Sequence, residues 1–259
     1  MVISELPPDK PGKVQLLVND PSTVFAQPDN EPYGPSVFFV QGDTITMEDR
    51  LRHTLNVYRD GKLLQRMAAP DTCCSDLLID TNNHYWILSE EKAWEYEWKA
   101  ALGTFTLLNS YPAGDDQPTW LFQEGPNIEV KQVSDDVVLA AGPGPIDPAP
   151  KVKLLKHSIK ATDGARLNIE IRTRHTPIDM RMLTRTAEYH YFWVSEAYGP
   201  NYGFIYQLTK TGQLVNTYTL VPPGDKYPAR SVQVAADGQV YEMVVTDHTT
   251  KIYRIPANS

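Results

Sequence analysis

A short unit recurs along this chain: an apolar strand, a tight polar turn and a second apolar strand. It is read at Ser36–Met47 (SVFFVQGDTITM), Ser75–Leu88 (SDLLIDTNNHYWIL), Ile128–Ala140 (IEVKQVSDDVVLA), Arg181–Val194 (RMLTRTAEYHYFWV) and Ser231–Val244 (SVQVAADGQVYEMV). The turns fall near Gly42, Asn82, Asp135, Glu188 and Gly238, at intervals of 40, 53, 53 and 50 residues. Self-similarity at such a period points to stacked or radially arranged units, each a small sheet that buries its faces against its neighbours.

Each unit continues into a second apolar pair. His53–Met67 turns at Asp60-Gly61, a strong hairpin signal. Ala93–Leu108 turns near Gly103, Val152–Ile171 at Asp163-Gly164, and Phe204–Leu220 at Thr211-Gly212. The strands are rich in Val, Ile, Leu, Tyr, Phe and Trp, which pack well on a pleated, buried surface. Four strands per repeat, joined as an antiparallel meander, is the expected unit. The fifth repeat is one strand short: after Ser231–Val244 comes Lys251–Ile255, and the chain ends. Lys13–Asn19 (KVQLLVN) precedes the first complete repeat and is expected to supply the missing strand, which also removes an open sheet edge.

This pattern resembles the β-propellers, and its blades are most similar to the NHL and six-bladed lactonase-like groups. The Gly-His and Trp-Asp signatures of WD40 repeats are absent. The expectation is a single all-β domain over residues 1–259: a five-bladed β-propeller of four-stranded antiparallel blades, closed by strand 13–19, with residues 1–12 as a flexible N-terminal segment. Six blades or a β-sandwich are the alternatives. Fold does not confer function, and the resemblance carries no catalytic residue across.

Bulk properties limit the function classes. The net charge of −8 argues against nonspecific binding to nucleic acid or to an anionic membrane, since both need a basic surface. No apolar run is long enough for a transmembrane helix. The start, MVISELPPDKPGK, lacks the apolar core of a signal peptide. A soluble chain is expected, either cytoplasmic or secreted with its signal peptide absent from this sequence.

In such a ring, ligands sit where loops converge on one rigid face. The loops expected to enter the inner strands are Asn30–Pro35, Pro70–Ser75, Gly114–Trp120, Thr176–Arg181 and Gly224–Arg230. Each contains proline, which fixes φ and ends a strand. Their Asp residues are turn formers in the first instance. The same loops, with Ala197–Gly203, bring Tyr33, Cys73, Cys74, Trp120, Arg181, Tyr198, Tyr202, Tyr227 and Arg230 toward the channel mouth as candidate ligand contacts. That set suits a small molecule or glycan. Asp76, Asp116, Asp179, Glu196 and His248 are the candidate catalytic groups. His248 beside Asp247, or His53 near Asp49, is a possible general base.

The adjacent Cys73 and Cys74 are the only cysteines, too few for a stapled scaffold. They read either as a vicinal disulfide or as two thiols. His84 and His190, just after their repeat turns, read as structural. No Gly-x-Ser-x-Gly elbow and no His-Glu-x-x-His zinc motif is present. The expected function is therefore ligand binding. The alternative is a hydrolase or lyase. One form is lactonase-like, with a divalent metal such as calcium; the other is a glycosidase using funnel carboxylates.

Overall fold

The computed structural model describes residues 2–3, 13–24, 34–70, 74–89, 92–112, 119–124, 127–132, 153–160, 166–173, 176–197, 203–222, 224 and 230–258. They form β-strands almost throughout, arranged as four-stranded antiparallel blades of the β-propeller kind. The chain divides into two compact units. One comprises Met1–Lys13, Val133–Pro222 and Ile255–Ser259; the other comprises Val14–Gln132 and Pro223–Arg254.

The first unit opens with β1 (Val2–Ile3), and the second with β2 (Gln15–Asp20). The second unit then holds a complete blade of β3 (Phe38–Gln41), β4 (Thr44–Asp49), β5 (Thr54–Arg59) and β6 (Lys62–Ala68). A second blade follows, made of β7 (Asp76–Ile79), β8 (His84–Leu88), β9 (Lys92–Lys99) and β10 (Thr104–Pro112). The hairpin β11 (Thr119–Glu124) and β12 (Asn127–Gln132) comes next.

The first unit resumes with the hairpin β13 (Lys153–Lys160) and β14 (Arg166–Thr173), on which β1 pairs in parallel. It also holds a blade of β15 (Thr176–Arg185), β16 (Tyr189–Ala197), β17 (Gly203–Thr209) and β18 (Leu214–Thr219). The last blade, in the second unit, is β19 (Val232–Val234), β20 (Val240–Val245) and β21 (Thr250–Ile255) with β2 on its edge.

The expected closure by the N-terminal strand is present: β2 pairs antiparallel with β21, with Val18 opposite Ile252 and both side chains buried. The blade count is corrected. Four blades occur among the described residues, where five were expected, and three of them are four-stranded sheets by themselves. The third repeat does not build one. Its strands fall into two separate hairpins, and the register is displaced from the expected turn at Asp135. Glu124 pairs with Asn127, so the connection is at 125–126, where the sequence has Gly-Pro. Gly-Pro is stronger punctuation than the Ser-Asp-Asp at 134–136. The segment Gly142–Pro150 carries prolines at 143, 145, 148 and 150, which lack the N–H that a ladder needs. That residue range and Asp135 lie outside the described residues. Thr176–Arg181, expected as a loop, is the first part of β15.

Burial explains the strand chemistry. The first strand of a blade is a short apolar run covered on both faces: β3 and β7 are buried almost entirely, whereas β6 at the outside is exposed apart from Met67. The second unit contains two apolar clusters. One centres on Phe39, Leu55, Leu77, Leu78 and Ile87, the other on Phe38, Met47, Tyr58, Met243 and Ile252. Phe38 and Phe39 point to opposite faces of one strand and enter different clusters, as a period of two requires. In the first unit Tyr191, Phe192, Ile205, Tyr206 and Leu208 are buried, and Gln207 satisfies the hydroxyls of Tyr191 and Tyr218 and the amide of Asn216.

The turns obey local backbone rules. Gly42, Gly61, Gly103, Gly212 and Gly238 all take positive φ, and Asp60 (φ 50°) with Gly61 (φ 71°) gives the two left-handed residues of a tight hairpin turn. At Gly61 a Cβ would also lie 2.9 Å from the carbonyl oxygen of Leu17. Gly61→Ala is expected to cost at least about 1 kcal/mol in urea unfolding. Asp60→Gly, which relieves a non-glycine residue at positive φ, should leave stability within about 0.5 kcal/mol of wild type.

Candidate functional site

The candidate residues with described side chains divide into a buried anchor and exposed turns. Asp76 opens β7 and is fully buried. Its Oδ1 and Oδ2 accept from one terminal nitrogen of Arg230 at 2.6 and 2.7 Å. Oδ2 also accepts the N–H of Leu121 at 3.1 Å, and Oδ1 that of Leu77 at 2.9 Å. The same Arg230 nitrogen reaches the carbonyl of Leu121 at 3.3 Å. The pair therefore ties β7, β11 and the approach to β19 together over sequence separations of 45 and 154 residues. Every oxygen of this carboxylate is engaged by a cation or an amide, as a charge in low dielectric requires.

A second polar group adjoins this anchor. The backbone N–H of Arg230 donates to the carbonyl of Ser36 at 3.0 Å. The Ser36 hydroxyl donates to Glu48 Oε2 by a short hydrogen bond and also lies 3.0 Å from the carbonyl oxygen of Cys74. Burial pushes the Glu48 carboxyl above the usual range, and the hydrogen bonds from Ser36 offset this only in part. Cys74 is disulfide-bonded, which decides between the two readings of its chemistry in favour of a bridge. Cys73, the only other cysteine of the sequence, lies outside the described residues.

The next turn along β4 and β5 holds a network that sequence reading did not assemble. Asp49, fully buried, accepts from Arg52 at 2.8 Å and from Asn56 at 3.4 Å. Asn56 donates to the Tyr58 hydroxyl at 3.3 Å, and that hydroxyl donates to Asp20 at 2.6 Å. Burial alone would raise the Asp20 carboxyl, but donation from Tyr58 and Ser22 outweighs it and leaves it lowered. Tyr58 is pushed upward by burial and by Asp20. Asp49 is thus committed to Arg52 and Asn56.

His248 is exposed in the turn between β20 and β21, where its backbone N–H donates to the Thr246 hydroxyl. Trp120 lies on β11, Arg181 and Asp179 on β15, and Glu196 on β16; of their side chains nothing is described. The β15–β16 register sets Asp179 opposite Ser195 and Glu196 opposite Pro177, so both acidic positions occupy the same end of adjacent strands. Tyr33, Asp116, Tyr198, Tyr202 and Tyr227 lie outside the described residues.

A cleft of about 450 Å³ opens elsewhere, at the turn ends of the first and last blades of the second unit. Its walls include Leu17, Gly42, Asp43, Tyr58, Arg59, Asp60, Gly61, Tyr241 and Arg254. Arg59 pairs with Asp43 at 3.0 Å, with both side chains well exposed, and Arg254 donates to Gln239 at 2.8 Å. Two glycine turns form part of the rim, and a Cβ at Gly42 would meet nothing within 4 Å. None of the candidate ligand contacts read from the sequence lines this cleft; turn residues such as Asp43 and Asp60 look like punctuation when read alone.

No protein-family model matches the chain, and no curated protein does. Among solved structures it is similar to a glucose dehydrogenase, with 12% identity over 95% of this chain and 100% of that one and a TM-score of 0.44. It is also similar to BBS1N in complex with ARL6DN, with 11% identity over 88% and 81% of the two chains and a TM-score of 0.39. The propeller of Dos1 has 9% identity over 85% and 55%, with a TM-score of 0.30. Similarity this low transfers no ligand or reaction. No helix among the described residues is long and apolar enough to cross a membrane.

Two outcomes follow from the anchor. Arg230→Met should cost about 3–5 kcal/mol in denaturant unfolding, because Asp76 is left charged and buried. Replacing both residues together, as Asp76→Leu with Arg230→Met, should recover a large part of that loss, and simple additivity would show that the pair is not coupled. Glu48→Gln tests the second group. A folded-state pKa above the unfolded value near 4.5 means that the protonated acid is the favoured form in the fold. Its stabilising contribution is present below pH 4.5 and is lost as pH rises through the raised folded value. The variant should therefore gain thermal stability over wild type at pH 7–8, and the gain should shrink toward pH 4.5. A gain independent of pH would contradict this.

Proposed function

We propose that the protein is a binding module that takes a small polar ligand, an anionic sugar or a comparable polar metabolite, in the cleft between the turns of β3–β6 and the edge formed by β2 and β21. The observation that carries this reading is the cleft itself. Its volume falls in the range of small-molecule sites. Its rim carries two guanidinium groups and two carboxylates, set over the buried Tyr58 and Tyr241. Guanidinium forks suit the carboxylate or phosphate of such a ligand. The support is rigid: Tyr58 is held by Asp20 and Asn56, and both turns are fixed by their backbone conformation. Arg59 is paired with Asp43, and Arg254, which donates to the neutral Gln239, is the guanidinium offered to an anion.

An enzymatic reading, hydrolase or lyase, rests on Asp179 and Glu196 at one end of β15 and β16. Neither residue borders the cleft. Thermal-shift screening of mono- and oligosaccharides, uronic acids, sugar phosphates and nucleotides, followed by calorimetry, tests the binding reading. Arg254→Ala is expected to weaken the best ligand about tenfold or more without lowering Tm by more than a few degrees. Glu196→Gln should leave that affinity unchanged. No binding at millimolar concentration, or binding indifferent to Arg254, overturns the cleft as the site. Turnover of a screened sugar that is abolished by Glu196→Gln or Asp179→Asn would favour the enzyme.

A further inference from the structure

The second blade holds a group whose charges do not balance. Asp80 follows β7, His84 opens β8, and Glu95 lies on β9. The register pairs His84 with Glu97 and Trp86 with Glu95, so positions 84, 86, 95 and 97 share one face of the blade. His84 Nδ1 lies 2.9 Å from Glu95 Oε1 and 3.6 Å from Asp80 Oδ2. The three ligand atoms all lie within 4.8 Å of one another.

In each carboxylate one oxygen is fixed by neutral donors and the other is turned toward the imidazole. Asp80 Oδ1 accepts the N–H groups of Asn82 and His84 at 2.8 and 2.9 Å. Its Oδ2, with the Trp86 indole N–H at 3.4 Å, faces His84. Glu95 Oε2 accepts from Asn109 at 2.7 Å and from the Tyr111 hydroxyl at 3.4 Å, which leaves Oε1 toward His84. Tyr111 is itself stacked on Trp86 at 5.3 Å. Outer residues that orient carboxylates through their second oxygen are the usual supporting shell of a metal site.

Charge gives the independent argument. Both carboxylate side chains are only 11% exposed. Among the described residues no lysine or arginine pairs with either, and His84 is their sole basic neighbour. With neutral imidazole the group carries −2, and with one proton −1. A divalent cation with neutral His84 brings it to zero, the state that a site so far removed from water favours.

We propose that Asp80 Oδ2, His84 Nδ1 and Glu95 Oε1 form a three-ligand site for a divalent transition-metal ion, zinc or a near neighbour, with the remaining positions left to water or a small ligand. At metal–ligand distances of about 2.0–2.2 Å, ligand atoms stand no more than about 4.4 Å apart. The two separations to His84 meet this, and all three ligand atoms lie within 4.8 Å of one another. One imidazole nitrogen with two carboxylates favours zinc, manganese or cobalt over calcium, which takes six or more oxygens. The site is separate from the cleft and does not depend on the function proposed for it.

Titration of the full-length chain with zinc by calorimetry tests the site, together with cobalt(II) absorption spectra and NMR of the histidine ring signals. Binding of about one zinc per chain is expected, with the His84 ring signals shifting first among the six histidines. His84→Ala should weaken binding at least about a hundredfold, and Asn109→Ala, which removes a supporting donor only, about tenfold. If His84→Ala fails to fold, the ring signals and cobalt bands of the wild-type chain still decide. Absence of zinc binding at about 100-micromolar metal, or saturation that leaves the His84 signals unmoved, overturns the proposal.

Discussion

A single buried charge pair sets what the second unit can be. Asp76 and Arg230 stand 154 residues apart, yet each is the partner that the other requires. Neither charge is tolerable alone once water is excluded, so the second and last blades of this unit are compelled to meet in one register. The β11 strand is caught in the same grip, since Leu121 gives its N–H to Asp76 and its carbonyl to Arg230. Apolar burial favours many arrangements of stacked sheets; this pair admits few. Its contribution is specificity of assembly more than net stability, because the cost of desolvation absorbs most of the Coulomb energy.

The pair also explains how the neighbouring polar groups are used. Arg230 places its own N–H on Ser36, Ser36 is joined to Glu48 and lies against the carbonyl of Cys74, and Cys74 is tied into a disulfide. Ionisable residues near the inner strands thus hold backbone to backbone. The open chemistry lies where the turns are, at Arg59, Arg254 and the acidic pair Asp43 and Asp60, and at His84 with its two carboxylates.

Much of the fold was legible from local signals. Glycines 42, 61, 103, 212 and 238 all occupy the left-handed conformation that the turn reading requires, and the strand near residue 15 does complete the last blade. The third repeat was misread because its register depends on partners distant in the chain, whereas two hairpins can be written with much the same alternation of apolar residues. The site was less legible still. Asp76 looks like a loop carboxylate in sequence, and only the fold brings Arg230 to it. His84 reads as a structural turn residue, whereas it opens β8; that Glu95 from the adjacent strand β9 would meet it follows from cross-strand register, a relation without periodic signature. Asp80 was hidden for the opposite reason, since an aspartate before Thr-Asn-Asn reads as turn chemistry whatever else it does.

The pairing of β2 with β21 has a bearing on how the chain comes to be folded in a cell. The strand at residues 15–20 is made more than two hundred residues before its partner at 250–255. Until residues 250–255 have been made this strand is an unclaimed edge, and the last blade cannot close. Val18 and Ile252, buried once the strands pair, therefore close a loop far longer than any hairpin within a blade. A nascent chain of this design has a window of vulnerability to mispairing with its own inner strands or with another copy. The short length of β2 and its exposed outer residues, Gln15, Leu16 and Asn19, make it a poor template in that interval.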